Sequence, residues 1–382
     1  MIYFDSAATT LKKPEAVYKA VLYAMKNYGN PGRGYGKTSI EASRCVFEAR
    51  KYLTEFFGGD DASGLIFTSN ATEALNIVIN GIFEEGDRVI TTQAEHNSVL
   101  RPLYYAGKRG VMIDIASCGE NGVVDCDKIE KLIKKDTKAI ICTHASNLTG
   151  NLTDIKKLGE TAEKYGLLFI VDASQTAGVF SINVKEMNID ILCFTGHKSL
   201  MGPQGTGGLY IRKDINIKPL KSGGTGVKSF LREQPHEFPE LLEAGTLNSH
   251  GIAGLLAAVR KINDIGIDKI YKKESELAQM FYLGVNEING VKVYGDFNKD
   301  KVRCPIVSLN IGHIDSTEIS MLLNDEYGIV TRPGIHCAPL MHEFFETKTQ
   351  GMVRFSFSYY NEKEEVTAAI NAIKDIAKQV VS

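Results

Sequence analysis

Short apolar runs bounded by polar or turn residues recur through the first two thirds of this 382-residue chain. The clearest are 167–171 and 189–194, the second interrupted by Asp190. Strands that are buried on both faces read as continuous apolar runs, as in parallel sheets. Helix-like segments lie between the runs. This alternation predicts an α/β fold, a mostly parallel sheet with helices on both faces.

The pattern also predicts how the chain is divided. The predicted strands of the main sheet cover 65–67, 88–90, 111–115, 139–142, 167–171 and 189–194, and helices cover 71–83, 98–107, 125–135 and 155–165. A helix over 251–262 is expected to bridge two domains. Beyond it, strands at 291–294, 306–309 and 353–357 mix with helices at 316–327 and from 362 onward, which predicts a smaller α+β C-terminal domain. A chain of this length fits two domains, a large one over 14–250 and a small one formed by 1–13 with 251–382.

Composition limits the partners of the chain. Hydrophobic residues make up 43% and charged residues 24%, as in ordinary globular proteins. A net charge of −2 gives no electrostatic argument for nucleic acid or an anionic membrane. No apolar run reaches the length of a membrane span, and the N-terminus lacks the basic and apolar regions of a signal peptide. We therefore expect a cytoplasmic protein with neither nucleic acid nor membrane as a partner.

The cysteines argue against a disulfide framework and a structural zinc site. There are seven, an odd number, and no pair has Cys-x-x-Cys spacing. Cys45, Cys142 and Cys193 lie within apolar patterns and are expected to be small buried hydrophobes. No metal site is predicted.

A lysine and an acid follow two of the apolar runs. Lys198 comes after the run at 189–194, in the segment Thr195-Gly196-His197-Lys198, and Asp172 ends the run at 167–171. Burial disfavours a free ammonium, so a lysine kept at a buried strand end often forms a Schiff base. Open α/β sheets bind ligands at the carboxyl ends of their strands. Pyridoxal phosphate requires such a pair: a lysine that forms an imine with it and a carboxylate that pairs with its pyridinium nitrogen. Taken singly, each residue more often has a structural explanation: Asp172 would cap a following turn, and Lys198 would be a solvated charge at a strand end.

Two further segments suit the same ligand. Small polar residues over 68–73 precede a predicted helix, and a helix N-terminus with free N–H groups suits a phosphate, although a plain N-cap has the same pattern. Thr195 and His197 could add phosphate contacts. His96, just past the predicted strand at 88–90, could stack on a flat ring, or make an ordinary polar contact.

Motifs along nearly the whole chain, from Asp5 to about Asn361, resemble one known family. They are Asp5-Ser6-Ala7-Ala8-Thr9-Thr10, Asn30-Pro31-Gly32-Arg33-Gly34, Ala71-Thr72-Glu73-Ala74, Glu95-His96-Asn97, Ser146-Asn147-Leu148-Thr149-Gly150, Asp172-Ala173-Ser174-Gln175 and Gly196-His197-Lys198. Together they resemble the class V aminotransferase family and, within it, the cysteine desulfurases. The resemblance implies pyridoxal 5'-phosphate as cofactor, fold type I with a mostly parallel seven-stranded sheet, and a homodimer.

The resemblance also implies a role for each matching residue. Lys198 resembles the lysine that carries the cofactor, Asp172 the partner of the pyridinium nitrogen and Gln175 the donor to the phenolic oxygen. His96 resembles the stacking residue and is expected, like Lys198, to be catalytic. The phosphate-binding residues implied are Ala71, Thr72, Thr195 and His197. The segment 243–246 resembles the loop that reaches the cofactor phosphate of the partner subunit, through Thr246. Asn147 and Arg354 resemble the groups that hold the substrate carboxylate, which a planar guanidinium fits in a bidentate way.

The segment Arg332-Pro333-Gly334-Ile335-His336-Cys337-Ala338-Pro339 resembles the catalytic-cysteine loop of the desulfurase branch, which includes selenocysteine lyases. A thiol beside His336 and near arginines would gain thiolate character, and the thiolate is the nucleophile. The alternatives are a structural cysteine or a metal site formed by His336, Cys337 and His342. Many relatives have a second histidine at the position of Ile335 and a different residue at that of Pro333, which bears on the loop's shape and on docking of a sulfur acceptor.

These features predict a pyridoxal-phosphate-dependent cysteine desulfurase. It would convert L-cysteine to L-alanine and leave the sulfur on Cys337 as a persulfide for an acceptor protein or a reductant. Three alternatives remain open: a selenocysteine lyase, a class V aminotransferase of a small amino acid, and a pyridoxal-binding protein without enzymatic activity.

Overall fold

The computed structural model describes residues 1–32 and 34–381. Arg33, part of the motif at 30–34, and Ser382 lie outside the described residues.

The secondary structure follows the predicted alternation. In chain order, the first elements are β1 (Ile2–Tyr3), α1 (Glu15–Asn27), α2 (Lys37–Phe56), β2 (Leu65–Thr68), α3 (Ala71–Ile82), β3 (Arg88–Thr92), α4 (Asn97–Gly107), β4 (Met112–Ala116), α5 (Cys126–Lys131), β5 (Thr137–Thr143), α6 (Ile155–Tyr165), β6 (Leu168–Asp172), β7 (Ile191–Thr195) and β8 (Gly207–Ile211). The later elements are α7 (Ser249–Ile265), α8 (Ile267–Val285), β9 (Val291–Tyr294), β10 (Ile306–Ile311), α9 (Ser316–Tyr327), β11 (Ile329–Val330), α10 (Pro339–Phe344), β12 (Val353–Ser356) and α11 (Lys363–Val381). Each predicted strand and helix is present, although the helix predicted over 125–135 ends at Lys131.

The main sheet has seven strands in the order β2-β8-β7-β6-β5-β3-β4. Strands β4, β3, β5, β6 and β7 pair in parallel, whereas β8 runs antiparallel to both of its neighbours. Successive residues of β2 belong to different hydrophobic clusters, Leu65 and Phe67 to one and Ile66 to the other, because strand side chains alternate between faces. The predicted seven-stranded, mostly parallel sheet with a core on each face is therefore confirmed.

Strand β8 was not predicted, because it opens with two glycines and offers a short apolar signal. Packing accounts for the glycines. A Cβ on Gly208 would lie 2.5 Å from the Ile66 carbonyl oxygen and 2.7 Å from the Phe194 ring. Helices α1, α2 and α8 were also missed. Of these, α1 buries only Val17 and Ala24 and leaves large apolar side chains such as Tyr18 and Leu22 exposed.

The later part of the chain forms a smaller antiparallel sheet in the order β12-β10-β9, covered by α8, α9 and α11. Its core includes Phe4 from the N-terminal segment, and β1 pairs in parallel with β11. Helix α7 packs on α1 and α2 and contributes Leu255 and Val259 to a core of the large sheet. The domain limits of 14–250 and of 1–13 with 251–382 stay a prediction.

Three neighbouring strands end in polar residues at one edge of the large sheet. β5 ends at Thr143, β6 at Asp172 and β7 at Thr195, and Thr143 is paired in register with Asp172. Helices α3 and α4 begin shortly after β2 and β3 respectively. This edge is where the sequence placed the site. No described helix is long and apolar enough to cross a membrane.

Candidate active site

A cavity lies at this edge of the sheet. It is lined by Asn70, Ala71, Thr72, His96, Ser98, Thr143, Asn147, Asp172, Ser174, Gln175, Thr195, His197 and Lys198. The structure thus brings together nine of the residues singled out in the sequence. Cys337, Arg354 and Thr246 do not line the cavity.

Lys198 lies in the turn after β7 and is partly accessible from the cavity. Burial lowers the pKa of its ammonium to about 8, Asp172 opposes this change, and Arg354 and Arg332 add to it. The turn is held by Thr10, whose amide donates to the His197 carbonyl (2.9 Å) and whose hydroxyl donates to the Lys198 carbonyl (2.6 Å). A fixed amine with a lowered pKa is a nucleophile near neutral pH.

Asp172 is buried at the end of β6. Its Oδ1 atom accepts hydrogen bonds from the Ser174 amide (2.9 Å) and the Ser174 hydroxyl. Burial raises the pKa of the carboxyl, while the Ser174 hydrogen bonds and the charge of Lys198 lower it. Ser174 therefore fixes the carboxyl group and supports its charged form. Ser174 was not assigned a role from the sequence, although a serine two residues after an aspartate is a signal for such a turn.

His96 caps the N-terminus of α4. Its Nδ1 atom accepts a hydrogen bond from the Ser98 amide (3.0 Å) and lies 2.8 Å from the Ser98 hydroxyl. Burial, followed by the charges of Lys198 and Arg332, lowers the pKa of the imidazole to about 3. The ring is therefore neutral at physiological pH, with its proton on Nε2 because Nδ1 is an acceptor. The capping contact and the predicted stacking role are compatible.

The N-terminus of α3 also lines the cavity. The Asn70 side chain caps this helix by accepting a hydrogen bond from the Glu73 amide (2.9 Å). The amides of Ala71 and Thr72 have no acceptor among the described residues. Two buried atoms nearby, Thr195 Oγ1 and His197 Nδ1, also lack a partner among the described residues. Buried polar atoms are normally hydrogen-bonded, and a helix N-terminus favours an anion. The cavity therefore has the donor set of a phosphate site.

Gln175 and Asn147 connect the cavity to other segments. The Gln175 side-chain amide donates to the Ala7 carbonyl (3.1 Å). The Asn147 side-chain amide donates to the His336 carbonyl (2.7 Å), and its Oδ1 atom is buried without a partner among the described residues. Asn147 thus joins the cavity wall to the loop that carries Cys337.

Cys337 lies next to the cavity on a constrained loop. His336 and Cys337 both have left-handed backbone conformations, with φ of 53° and 54°. The Asn97 amide, adjacent to His96, donates to the Cys337 carbonyl (2.8 Å). The six other cysteines are buried, whereas Cys337 is half-buried. Its sulfur is thus the most accessible thiol of the described chain.

His336 does not bring a positive charge to this loop. Its ring is buried and stacks on His342, with ring centroids 5.9 Å apart. Burial keeps the pKa of the His336 imidazole well below its usual range, so the ring is neutral. Among residues 1–32 and 34–381, no group of three or more His, Cys, Asp or Glu side chains is placed to hold a metal ion.

Arg354 lies on β12 and is only 1% exposed. Its Nη2 atom donates to Asp5 Oδ1 (2.8 Å) and its Nη1 atom to the Asn147 carbonyl (2.9 Å). The guanidinium is therefore already paired with a carboxylate of the protein.

Comparison with known proteins identifies the family of the chain. A model of the family described as "Aminotransferase class-V" matches residues 2–368. The chain belongs to the class V aminotransferase family. It is 35% identical to the probable cysteine desulfurase of Methanothermobacter thermautotrophicus, over 98% of this chain and 94% of that protein. The resemblance inferred from the sequence motifs is confirmed.

Solved structures give the same result. The apo structure of a cysteine desulfurase from Thermococcus onnurineus superimposes with a TM-score of 0.93 at 34% identity, covering 99% of this chain and 95% of that one. The structure of the cysteine desulfurase CsdA (S-sulfonic acid) from Escherichia coli has a TM-score of 0.88 at 29% identity, covering 99% of this chain and 94% of that one. The fold is therefore the one that these cysteine desulfurases share.

Thr246 of this class V family member lies in a separate surface pocket, together with Pro31, Phe47 and Thr225. Its loop is anchored by Glu243, which forms a two-point ion pair with Arg50 (both contacts 2.8 Å) and accepts from the Phe67 amide (2.7 Å). The loop is thus held to the start of the large sheet and does not line the cavity that contains Lys198.

Proposed function

We propose that this protein is a pyridoxal-phosphate-dependent cysteine desulfurase that converts L-cysteine to L-alanine and receives the sulfur on Cys337 as a persulfide. The observation that carries the proposal is one arrangement at the sheet edge. Lys198 and Asp172 share a cavity that has unpartnered phosphate-binding donors, and the amide that follows His96 holds the accessible Cys337 beside it. The relative named as a probable cysteine desulfurase and the two solved cysteine desulfurases support the same activity.

The residues of the cavity fit pyridoxal 5'-phosphate. Ala71, Thr72, Thr195 and His197 would hold the phosphate, because they supply the donors that lack partners in the described chain. Asp172 would hold a proton on the ring nitrogen, Gln175 would donate to the phenolic oxygen, and the neutral His96 ring would stack on the cofactor. When bound, the cofactor supplies an electron sink for a carbanion at the substrate Cα atom.

The side chains of this chain supply the proton transfers. Lys198 would carry the cofactor at rest and, once released by the substrate amine, would move the Cα proton as general base and acid. Its pKa of about 8 suits this task, because both forms of the amine are populated near neutral pH. Ser174 keeps the Asp172 carboxyl fixed while this occurs.

Cys337 would take the sulfur. A thiolate at Cys337 attacks the substrate sulfur, so an S–S bond forms as the Cβ–S bond breaks. The electron pair of the broken bond stays with the carbon fragment, which takes up a proton and leaves as L-alanine. The outer sulfur of the persulfide then passes to an acceptor protein or a reductant.

The direct test of this function is an assay with L-cysteine and a reductant in the absence of any keto acid. We expect sulfide and L-alanine in equal amounts, in catalytic excess over enzyme. Alanine formed only after addition of a keto acid would contradict the proposal and indicate transamination.

The carboxylate-binding role of Arg354 gives a quantitative prediction. Arg354→Ala should lower kcat/KM for L-cysteine, mainly through a higher KM, because the substrate loses a charge-assisted contact. Such a contact is worth about 2–3 kcal/mol, so the expected loss is ~30- to 150-fold. Steady-state kinetics of Arg354→Ala are compared with those of Arg109→Ala, which removes an exposed arginine bonded to Asn80. An unchanged kcat/KM would place the substrate carboxylate elsewhere.

We also propose that the active unit is a cytoplasmic homodimer in which Thr246 reaches the phosphate site of the other subunit. Large exposed apolar side chains on α1 and α2 support an interface there; they are Tyr18, Leu22, Tyr23, Met25, Ile40 and Phe47. Phe47 and Thr246 line the same surface pocket, which places the Thr246 loop next to this apolar surface.

Thr246→Ala should weaken cofactor retention by ~10-fold or more, because a hydrogen bond to a charged phosphate is lost. Cofactor titration by fluorescence, with Thr367→Ala on α11 as control, measures the effect. Sedimentation of the same samples gives the oligomeric state. A fully active monomer in dilute solution would contradict the dimer proposal.

A further inference from the structure

The proposed substrate-binding arginine already carries a carboxylate. Arg354 Nη2 donates to Asp5 Oδ1 at 2.8 Å, and the two residues are 349 positions apart in the sequence. The Arg354 side chain is 1% exposed and that of Asp5 is 17% exposed. Asp5 is therefore the more exposed member of a largely buried pair.

Asp5 belongs to a segment, residues 5–10, that joins the small sheet to the active-site turn. At one end, the Ala7 amide donates to the Ser356 hydroxyl (2.9 Å) beside Arg354 on β12. At the other end, Thr10 holds the carbonyls of His197 and Lys198. Asp5 is therefore fixed to the elements that carry Arg354 and Lys198.

Asp5 supplies the only carboxylate bonded to this guanidinium among the described residues. Arg354 Nη1 donates to the Asn147 carbonyl (2.9 Å), and Nε is buried without a partner among the described residues. A buried cation that lost its carboxylate would be strongly destabilised, because desolvation disfavours an unpaired charge. Asp5 thus keeps Arg354 neutralised whenever no substrate is present.

We propose that Asp5 is a specificity-determining residue that occupies the substrate-carboxylate position on Arg354 and competes with incoming carboxylates. The inference rests on the proposed role of Arg354 in binding the substrate carboxylate. Simple anions are excluded because they do not displace a tethered carboxylate. An amino acid displaces Asp5 because its amine is bound at the same time in the cavity beside Lys198. The substrate therefore has a second point of attachment.

The test uses the purified protein with Asp5→Ala, which leaves space for a free carboxylate, and acetate as the probe. Asp5→Ala should melt at a lower temperature than the wild type, and acetate should raise its melting temperature by at least about 2 °C. Acetate should have no such effect on the wild type. Asp60→Ala, which removes the carboxylate of the exposed Lys185–Asp60 pair (2.6 Å), is the matched control. An equal response to acetate in Asp5→Ala and wild type would overturn the proposal.

Asp5→Asn provides a second variant, since its side-chain oxygen still accepts from Arg354 while the competing charge is removed. We expect KM for L-cysteine to fall roughly tenfold, the order produced by removing a like charge at close range in a protein environment. Asp5→Glu should restore a KM near that of the wild type. A KM for Asp5→Asn equal to or above the wild-type value would overturn the competition. If the protein is not a desulfurase, the wild type will show no turnover of L-cysteine. The melting response to acetate does not depend on turnover, so it tests the role of Asp5 separately.

Discussion

Replacing Lys198 by alanine is expected to abolish turnover, with a loss of at least ~10⁴-fold. The variant loses both the amine that carries the cofactor and the group that moves the Cα proton, and general acid–base catalysis alone contributes ~10²- to 10⁴-fold. The visible absorbance of the lysine-linked cofactor should disappear. The fold should remain, because the backbone carbonyls of the turn, and not the amine, make its contacts with Thr10.

The ionisation of Lys198 should make the rate of cofactor binding depend on pH, and this rate can be measured without turnover. Burial lowers the pKa of this amine to about 8, so its neutral, nucleophilic form dominates above that pH. The rate at which cofactor-free protein captures pyridoxal phosphate should therefore rise ~10-fold per pH unit below about 8 and level off above it. Stopped-flow absorbance over this range measures the rate. A rate that continues to rise toward the usual pKa of a lysine would show that Lys198 is not desolvated.

Replacing Cys337 by alanine is expected to stop desulfuration of L-cysteine while leaving cofactor binding intact. Cys337 does not line the cavity, so cofactor absorbance and the spectral change on adding L-cysteine should be retained. Turnover should fall by on the order of 100-fold or more, because no nucleophile remains to take the sulfur. Turnover of selenocysteine should fall less than turnover of L-cysteine, since selenium leaves the substrate more readily.

Cys126→Ala is the matched control for this variant, because Cys126 is a buried thiol on α5, remote from the Cys337 loop in the chain. It should desulfurate L-cysteine at the wild-type rate. Wild-type turnover by Cys337→Ala would remove the desulfurase assignment and favour an aminotransferase or another lyase.

The parts of the site that follow buried strands were predictable from the sequence. Asp172 and Lys198 follow apolar runs, and the ends of parallel strands meet at one sheet edge, so their proximity followed from the fold class. Helix α3 was likewise signalled by the small polar residues before it. The family resemblance then supplied roles for residues that lie in loops.

The contacts that tune the site were not predictable in this way. The Arg354–Asp5 pair joins opposite ends of the chain, and the contact of Asn147 with the His336 carbonyl spans 189 positions. No local pattern encodes such pairings. His336 is neutral because its ring is buried against His342 in the folded protein. The sequence shows only that a histidine precedes a cysteine, and it does not reveal this burial. Strand β8 was hidden because its glycines serve packing with Ile66 and Phe194.

The location of the sulfur after a single turnover tests the central claim most directly. Purified protein with its cofactor would be mixed with one equivalent of L-cysteine without reductant, alkylated, digested and examined by peptide mass spectrometry. We expect one additional sulfur atom on the peptide that contains Cys337 and on no other cysteine, with one equivalent of L-alanine released. Release of alanine with the extra sulfur on another cysteine, or on none, would contradict the role of Cys337 as the sulfur acceptor.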